Sequence, residues 1–310
     1  MLRVGNGKTS IDRRYLRISR PRLITKAQHR IVLGRGLLVQ NLLGHLLKGT
    51  WSVVAGGPKI GKTTLLQQVA GNLLDGIRPV MVEPMKITTL DFKTTRMRPA
   101  RPVILLIDGC EVLLPDPGGV VRRAHQRIQK MDGAVRAVVW AGGVAWGEWA
   151  IAHKQEFGHP IRYYPLVVLP PKEARPILLK NLPQGTPASE VERLLDLSGG
   201  HPYLLKRLVE GPEADCDSFF AELWKAAGSI HEQAVLQRLV SAGTWVSLED
   251  LRDTTGRRPT KATLDRLAIL GLIHRTLVAG AAAARIVSPL LVDWVRRSST
   301  KLGSKIGVRS

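Results

Sequence analysis

A chain of 310 residues has room for two or three domains with ample core, and its 44% hydrophobic content is ordinary for a globular protein. Two cysteines, Cys110 and Cys216, exclude a disulfide framework, no Cys/His spacing suits zinc, and a reducing, cytoplasmic setting is expected. No apolar run is long enough to span a bilayer, so no membrane role is expected, while a net charge of +21 points to a polyanionic partner.

That charge is unevenly placed. Residues 1–30 have weak periodicity and read as a basic N-terminal arm. Up to residue 35 the chain holds Arg3, Lys8, Arg13, Arg14, Arg17, Arg20, Arg22, Lys26, Arg30 and Arg35 against Asp12 alone. Residues 298–310 read as a basic tail, and from residue 296 the chain holds Arg296, Arg297, Lys301, Lys305 and Arg309 with no acid. Basic ends suit nucleic acid, bound without sequence preference. Solvated tails that bind nothing specific and an organelle transit peptide remain as alternatives.

After Ile31–Arg35 the pattern predicts a helix over Leu37–Leu47, closed by Lys48-Gly49. Trp51–Ala55 reads as a buried strand. It leads into Gly56-Gly57-Pro58-Lys59-Ile60-Gly61-Lys62-Thr63, which fits G-x-x-x-x-G-K-[ST]. Thr64 and the apolar spacing beyond it continue as a helix over 62–74, so strand, loop and helix stand in the order that a phosphate-binding loop requires. The glycines let successive N–H groups turn inward toward a phosphate, and the new helix aims its positive end at the same anion. In that geometry Lys62 reaches the β- and γ-phosphates and Thr63 ligates Mg²⁺.

Pro79–Glu83 reads as a second strand, followed by an irregular basic connection over 84–102 with Lys86, Lys93, Arg96, Arg98 and Arg101. Val103–Asp108 is a short apolar run ending in an acid, as a central parallel strand reads. An aspartate at that carboxyl end can hold the water shell of Mg²⁺. Pro117–Met131 is expected as a helix, and Ala134–Ala141 and Arg162–Leu169 as the fourth and fifth strands. Strands alternating with helices predict an α/β fold, a P-loop NTPase parallel sheet over residues 31–170. Beyond Pro170 the strand pattern stops. Lys172–Asn181, Ser189–Leu197 and Pro202–Glu210 read as helices of a lid at 171–228. Over 229–297, helices at Ala234–Ala242, Ser247–Thr254 and Thr260–Leu270, then a hairpin about Gly280, predict a winged helix. Ser247 and Asp250 give its second helix an acidic form of the capping box. Trp245 and Trp294 stand where core aromatics are expected.

These residues together resemble the AAA+/STAND class of P-loop ATPases, in the short bacterial and archaeal form with a C-terminal winged helix. The resemblance covers roughly 31–297. Val32-Leu33-Gly34-Arg35 resembles the "hhGR" box, which implies a place near adenine for Gly34 and Arg35. The phosphate loop and the strand ending in Asp108 are the Walker A and Walker B motifs. Ser198-Gly199-Gly200-His201-Pro202-Tyr203-Leu204-Leu205 is similar to the lid motif, implying that His201 and Pro202 face the nucleotide. Pro202 suits a first helical turn, where its missing N–H costs nothing.

Three departures bear on chemistry. The acid that the class carries directly after the Walker B aspartate is replaced by Gly109, and the nearest acid is Glu111, which either substitutes for it or is structural. Ala141-Gly142-Gly143 stands where a polar residue often follows the fourth strand. Arg162 resembles an arginine finger acting on a neighbour's nucleotide, with a surface arginine as the alternative. No N-K-x-D segment favours GTP. Around the third helix of the C-terminal unit, Arg257, Arg258, Lys261 and Arg266 suit phosphate contacts, but the wing is mostly alanine from Ala281 to Ala284, and the alternative that the resemblance implies is a winged helix packed against the ATPase or a partner.

The expected function is an ATP-binding switch with slow hydrolysis, coupling nucleotide state to nucleic-acid engagement, partner assembly or homo-oligomerisation. The alternative is a DNA-binding initiator or regulator in which ATP is mainly structural.

Overall fold

The computed structural model describes residues 34–73, 76–89, 101–131, 133–211, 216–252, 256–278 and 280–303. The basic arm at 1–30, Val32, Leu33, Lys93, Arg96, Arg98 and residues 304–310 of the expected tail lie outside them.

Five parallel strands make the central sheet: β1 (Trp51–Gly56), β2 (Arg78–Val82), β3 (Val103–Asp108), β4 (Val135–Gly142) and β5 (Ile161–Leu166), in the order β2-β3-β4-β1-β5. β1 is buried throughout, and so is β3 as far as Ile107. That two-sided burial explains their unbroken apolar sequences. The strand period of two divides β3 between two cores. Val103, Leu105 and Ile107 face one core, with Trp140, Trp146 and Phe157. Ile104 and Leu106 face the other, with Leu42 and Leu46 of α1 (Gly36–Leu47) and Leu65, Leu66 and Val69 of α2 (Lys62–Gly71).

The first of these cores is covered by α3 (Pro117–Gln129) and α4 (Val144–Ala152). Asp116 caps α3, its side chain accepting from the Gly119 N–H at 3.0 Å. Helix α4 was not anticipated from the sequence. Its run Val-Ala-Trp-Gly-Glu-Trp-Ala-Ile-Ala has almost no polar face, so it offers no amphipathic signal.

Past the sheet, α5 (Pro171–Asn181), α6 (Ala188–Ser198) and α7 (Pro202–Glu210) pack around Leu169, Ala174, Leu178, Leu194 and Leu205. They fall where helices are expected at Lys172–Asn181, Ser189–Leu197 and Pro202–Glu210. A further helix, α8 (Asp217–Ala227), sends Phe219, Phe220 and Leu223 into the core of the C-terminal unit. That unit comprises α9 (Ile230–Ala242), β6 (Val246–Ser247), α10 (Lys261–Leu270), β7 (Ile273–Val278), β8 (Ala281–Ile286) and α11 (Pro289–Gly303). Its antiparallel sheet runs β6-β8-β7. Residues 298–303, expected in the tail, continue α11.

The helix expected from Ser247 does not form over 247–252. Ser247 pairs with Ala283 as an edge strand, and its hydroxyl accepts from the Glu249 N–H at 3.1 Å. Only one turn follows. Sheet pairing claims the backbone that a cap would have oriented. The capping box lies instead at Ser229 and Glu232, opening α9. Trp294 packs on Phe220 and Trp224 against the C-terminal core, as expected, whereas Trp245 is half-buried beneath Arg285 and outside the core clusters. Among the described residues no helix is long and apolar enough to cross a membrane.

Candidate functional site

The site forms at the carboxyl ends of β1 and β3, where a parallel sheet leaves a crevice. Between Gly56 and Lys62 the chain turns through Gly57, Pro58, Lys59, Ile60 and Gly61, with Lys59 at φ 53° and Gly61 at φ 98°. Ile60 is fully buried and anchors the loop in the core beneath α2. The Lys62 ammonium is folded back onto its own loop, donating to the carbonyls of Gly56 at 3.1 Å and Gly57 at 2.9 Å. Burial pulls its pKa down, while Glu111, Asp108 and Glu222 pull it back up.

The Thr63 hydroxyl donates to Oδ2 of Asp108 at 2.5 Å. The two expected Mg²⁺ ligands therefore meet, although β4 separates their strands in the sheet. Two oxygens at one point suit a hard cation. Thr64 is half-buried in the first turn of α2.

Gly109 adopts φ 81°, so the position after Asp108 sits in the left-handed region that disfavours any side chain. Glu111 lies in the 3-10 turn Cys110–Leu113 and accepts from the Gly143 N–H at 3.0 Å. That bond joins the end of β3 to the end of β4. Arg162 is exposed near the amino end of β5, opposite Ser52 of β1, and the structure does not bring it to the loop of its own chain.

From the side of α5, Arg35, at φ 63°, lays its guanidinium against the loop: Nη1 would stand 3.2 Å from a Cβ on Gly61. Its Nη2 donates to the Val167 carbonyl at 2.8 Å, and its backbone N–H to Glu173 at 2.7 Å. Burial lowers the Arg35 pKa to about 10, opposed by Glu173. The side chain thus lies at the phosphate end of the site. His201 is 1% exposed, and its Nδ1 accepts from the Tyr203 N–H at 3.3 Å, capping α7, with Pro202 in the first turn. Its Nε2 is buried without a partner. Burial, then the charges of Arg35 and Lys59, push its pKa down to about 3, so the imidazole is neutral. An orphaned polar nitrogen beside two cations and a glycine loop fits a polyphosphate, and the Thr63–Asp108 pair fits its Mg²⁺.

The sequence admits a C-terminal unit packed against the ATPase, but it does not say which groups face the loop. The Gly57 N–H donates to the Ile269 carbonyl at 2.9 Å, so the C-terminal end of α10 rests on the phosphate loop. A Cβ at Gly57 would overlap the Leu270 carbonyl oxygen. The negative end of one helix thereby meets the positive start of another. Arg266 holds this arrangement: its Nε pairs with Glu232 at 2.8 Å, Nη1 with Glu148 of α4 at 2.5 Å, and Nη2 donates to the Ala226 carbonyl at 3.2 Å. Arg266 is therefore engaged within the fold and does not present itself to phosphate, as its position in sequence had suggested. Leu264, Leu267 and Leu270 of α10 are buried. Arg257, Arg258 and Lys261 remain exposed at its other end, where Thr260 caps the helix.

No protein-family model matches the chain, and no curated protein sequence matches it. Among solved structures, the Walker-type ATPase PABY2304 of Pyrococcus abyssi is 14% identical at a TM-score of 0.52, the match covering 89% of this chain and 99% of that one. The Aeropyrum pernix ORC1 protein in complex with DNA is 14% identical at a TM-score of 0.40, covering 86% and 94%. The Thermotoga maritima RuvB Holliday junction branch migration motor is 16% identical at a TM-score of 0.36, covering 85% and 95%. Sheet order, phosphate loop and the likeness to PABY2304 together give this chain the fold of a Walker-type P-loop ATPase.

Proposed function

We propose that the chain is an ATP-binding switch with slow hydrolysis, in which nucleotide at the phosphate loop sets the position of the C-terminal unit. The observation that carries this reading is the hydrogen bond from the Gly57 N–H to the Ile269 carbonyl. A loop amide suited to phosphate is spent on α10, so phosphate and α10 compete for one donor. Lys62 has to leave the Gly56 and Gly57 carbonyls to reach a phosphate, and Thr63 and Asp108 have to open their mutual bond to hold Mg²⁺ between them. Held there, Mg²⁺ would supply charge neutralisation to the phosphates. His201, neutral, offers Nε2 to the same anion.

The magnitudes permit the exchange. A micromolar nucleotide supplies about 8 kcal/mol. A neutral hydrogen bond is worth about 1 kcal/mol, and breaking a buried ion pair costs about 3–5 kcal/mol. Only the part of the binding energy that differs between docked and released forms moves the balance.

Slow turnover follows from two features. Gly109 carries no acid, and Glu111 is engaged with the Gly143 amide rather than free to orient water. That engagement also favours the second reading, a DNA-binding regulator in which ATP is structural.

The output we infer is nucleic-acid engagement. The order α9, β6, α10 and the β7–β8 hairpin supports a winged helix that lacks the expected helix over 247–252, with Arg257, Arg258 and Lys261 on phosphates and the basic ends adding non-specific attraction. We infer that Arg162, exposed and away from the loop of its own chain, serves a neighbouring copy in an oligomer rather than its own site.

Mobility-shift titrations with ATP·Mg²⁺, with ADP and without nucleotide test the coupling, alongside steady-state ATPase with and without DNA. Lys62→Ala should remove ATP binding, at least about a hundredfold in Kd (roughly 3 kcal/mol), while the protein stays folded, and should make DNA affinity insensitive to nucleotide. Unchanged ATP affinity in a folded Lys62→Ala protein would overturn the assignment of the loop. ATP-independent DNA binding by the wild type, with ATP bound, would leave the structural-ATP reading.

A further inference from the structure

Among the described residues, two that are not glycine have positive φ, Arg35 and Lys59. Left-handed backbone costs a residue with a Cβ about 1–2 kcal/mol and persists where the surroundings hold it, with functional sites favoured. Both residues are cations: Lys59 belongs to the phosphate loop and Arg35 lies against it. Each is also attached to the lid side of the molecule. The Arg35 amide donates to Glu173 of α5, while its guanidinium lies against Gly61. The Lys59 ammonium stands 4.3 Å from the ring centre of Tyr203 on α7, 5.3 Å from that of Phe219 on α8, and 3.9 Å from the Glu222 carboxylate on α8.

Arg35, Lys59 and Lys62 converge with the positive start of α2, and His201 between them is held neutral. Glu173 and Glu222 are the acids that the lid side brings to Arg35 and Lys59, and Asp108 and Glu111 face Lys62. The Lys59–Glu222 pair is long and its partners are 42% and 52% exposed, so it is weak and readily exchanged. A polyphosphate carries more charge than either carboxylate and arrives at the loop itself.

We propose that Arg35 and Lys59 are exchange cations: while the loop is free of phosphate, the Lys59 ammonium holds α7 and α8 and the Arg35 guanidinium rests on the Val167 carbonyl in the field of Glu173 of α5, and both transfer to the phosphates when nucleotide binds, Lys59 thereby loosening α7 and α8 from the loop. This rests on the loop being a nucleotide site. It assigns to these two side chains the step by which the anion is reported to the lid.

The test uses the full-length chain and its Lys59→Met, Glu222→Gln, Glu173→Gln and Arg35→Met variants. ATP·Mg²⁺ affinity and hydrogen exchange at the amides of Tyr203 and Phe220 are measured for each. Removing a competing carboxylate should tighten ATP by about two- to fivefold, the scale of an exposed ion pair. Lys59→Met and Arg35→Met should weaken ATP by a similar factor or more. In the wild type, ATP should speed exchange at Tyr203 and Phe220. In Lys59→Met that exchange should already be fast without ATP and respond little to it, a behaviour that general electrostatic attraction would not produce. If wild type binds ATP yet the glutamine variants leave affinity unchanged, or ATP slows lid exchange equally in wild type and Lys59→Met, the exchange is overturned and the nucleotide site stands. If wild type binds no nucleotide, the site itself is wrong and the exchange falls with it.

Discussion

The two ends of α10 meet opposite chemistry. Its N-terminal end is solvent-exposed and basic, with Arg257, Arg258 and Lys261 about the Thr260 cap. Its C-terminal end is buried, the Ile269 carbonyl on the phosphate loop and Arg266 fixed to Glu148 and Glu232. One helix thus has a face suited to a polyanion at one end and a plug on an anion site at the other. In this arrangement the charged end can touch phosphates, but the helix cannot enter a groove along its length without leaving the loop. The difference shows why charge alone does not identify a reading helix: Arg266 is as basic as Lys261, yet its charge is consumed inside the fold.

The largest expected effect probes the exposed end. With most of the excess charge in the two chain ends, nucleic-acid affinity should fall on the order of a thousandfold or more between about 50 and 200 mM salt if six or more phosphates are contacted. Deleting residues 1–30 should flatten that slope, since it removes nine basic residues and Asp12. Changing Arg257, Arg258 and Lys261 together should reduce the slope further, by up to about three phosphate equivalents if the exposed end of α10 takes part. Mobility shifts at several salt concentrations measure this. No binding at low salt would assign the basic ends to something other than nucleic acid.

The buried end is probed by Arg266→Met. It strands Glu232, which is 6% exposed, and releases Glu148. Breaking such a pair costs about 3–5 kcal/mol, reduced where one partner is partly exposed. Denaturant unfolding should show the loss, and Gly57 should exchange its amide faster. Replacing Glu232 by Gln as well should recover part of the stability, because no buried charge is then left alone. Equal stability of wild type and Arg266→Met would mean that the cluster does not hold α10 down.

The contrast also explains what was legible in the sequence. The core announced itself because its determinants are local: Gly56 to Thr63 contiguous in sequence, β3 an unbroken apolar run ending in Asp108, Pro202 at the first turn of α7. The pairing of Thr63 with Asp108 followed from motif order. What closes the site was not legible, because Ile269 and Leu270 carry no chemical mark and act through backbone carbonyls. Glu173 and Glu222 were ordinary surface acids until α5 and α8 were placed. Helix α4 was hidden by apolarity on every side, and the false helix at Ser247 by a capping pattern whose backbone belongs to a sheet.

A smaller effect concerns His201, which stands where lid, loop and α10 meet. With its folded pKa near 3 and an unfolded value near 6.5, the unfolded chain binds the extra proton between those limits. Stability should therefore be full above about pH 6.5 and fall as pH drops, by about 2 kcal/mol at pH 5 from this group. The charged groups facing it are Arg35 and Lys59. His201→Asn keeps a capping acceptor for the Tyr203 amide and cannot titrate, so its stability should vary less between pH 7 and 5. His274, also lowered by burial, is common to both proteins and cancels in the difference. Parallel pH dependence in the two would place the His201 proton elsewhere.

The smallest expected effect lies at the end of β3. Restoring an acid there by Gly109→Glu was the obvious way to speed hydrolysis from sequence alone. The structure changes that expectation, because Gly109 sits at φ 81°. A Cβ there meets no neighbour within 4 Å, so the obstacle is backbone conformation and not space. A glutamate should cost about 1–2 kcal/mol in stability and leave its carboxylate poorly directed, so turnover should stay slow. Gly109→Asn, which tolerates the left-handed region, should cost less. If Glu111 orients water whenever its bond to Gly143 opens, Glu111→Gln should lower kcat while ATP affinity holds. Single-turnover hydrolysis and thermal unfolding of the three variants decide the matter. Faster hydrolysis in Gly109→Glu at unchanged stability would show that the backbone after Asp108 relaxes freely, and that Glu111 is a strut between β3 and β4 with no part in the chemistry.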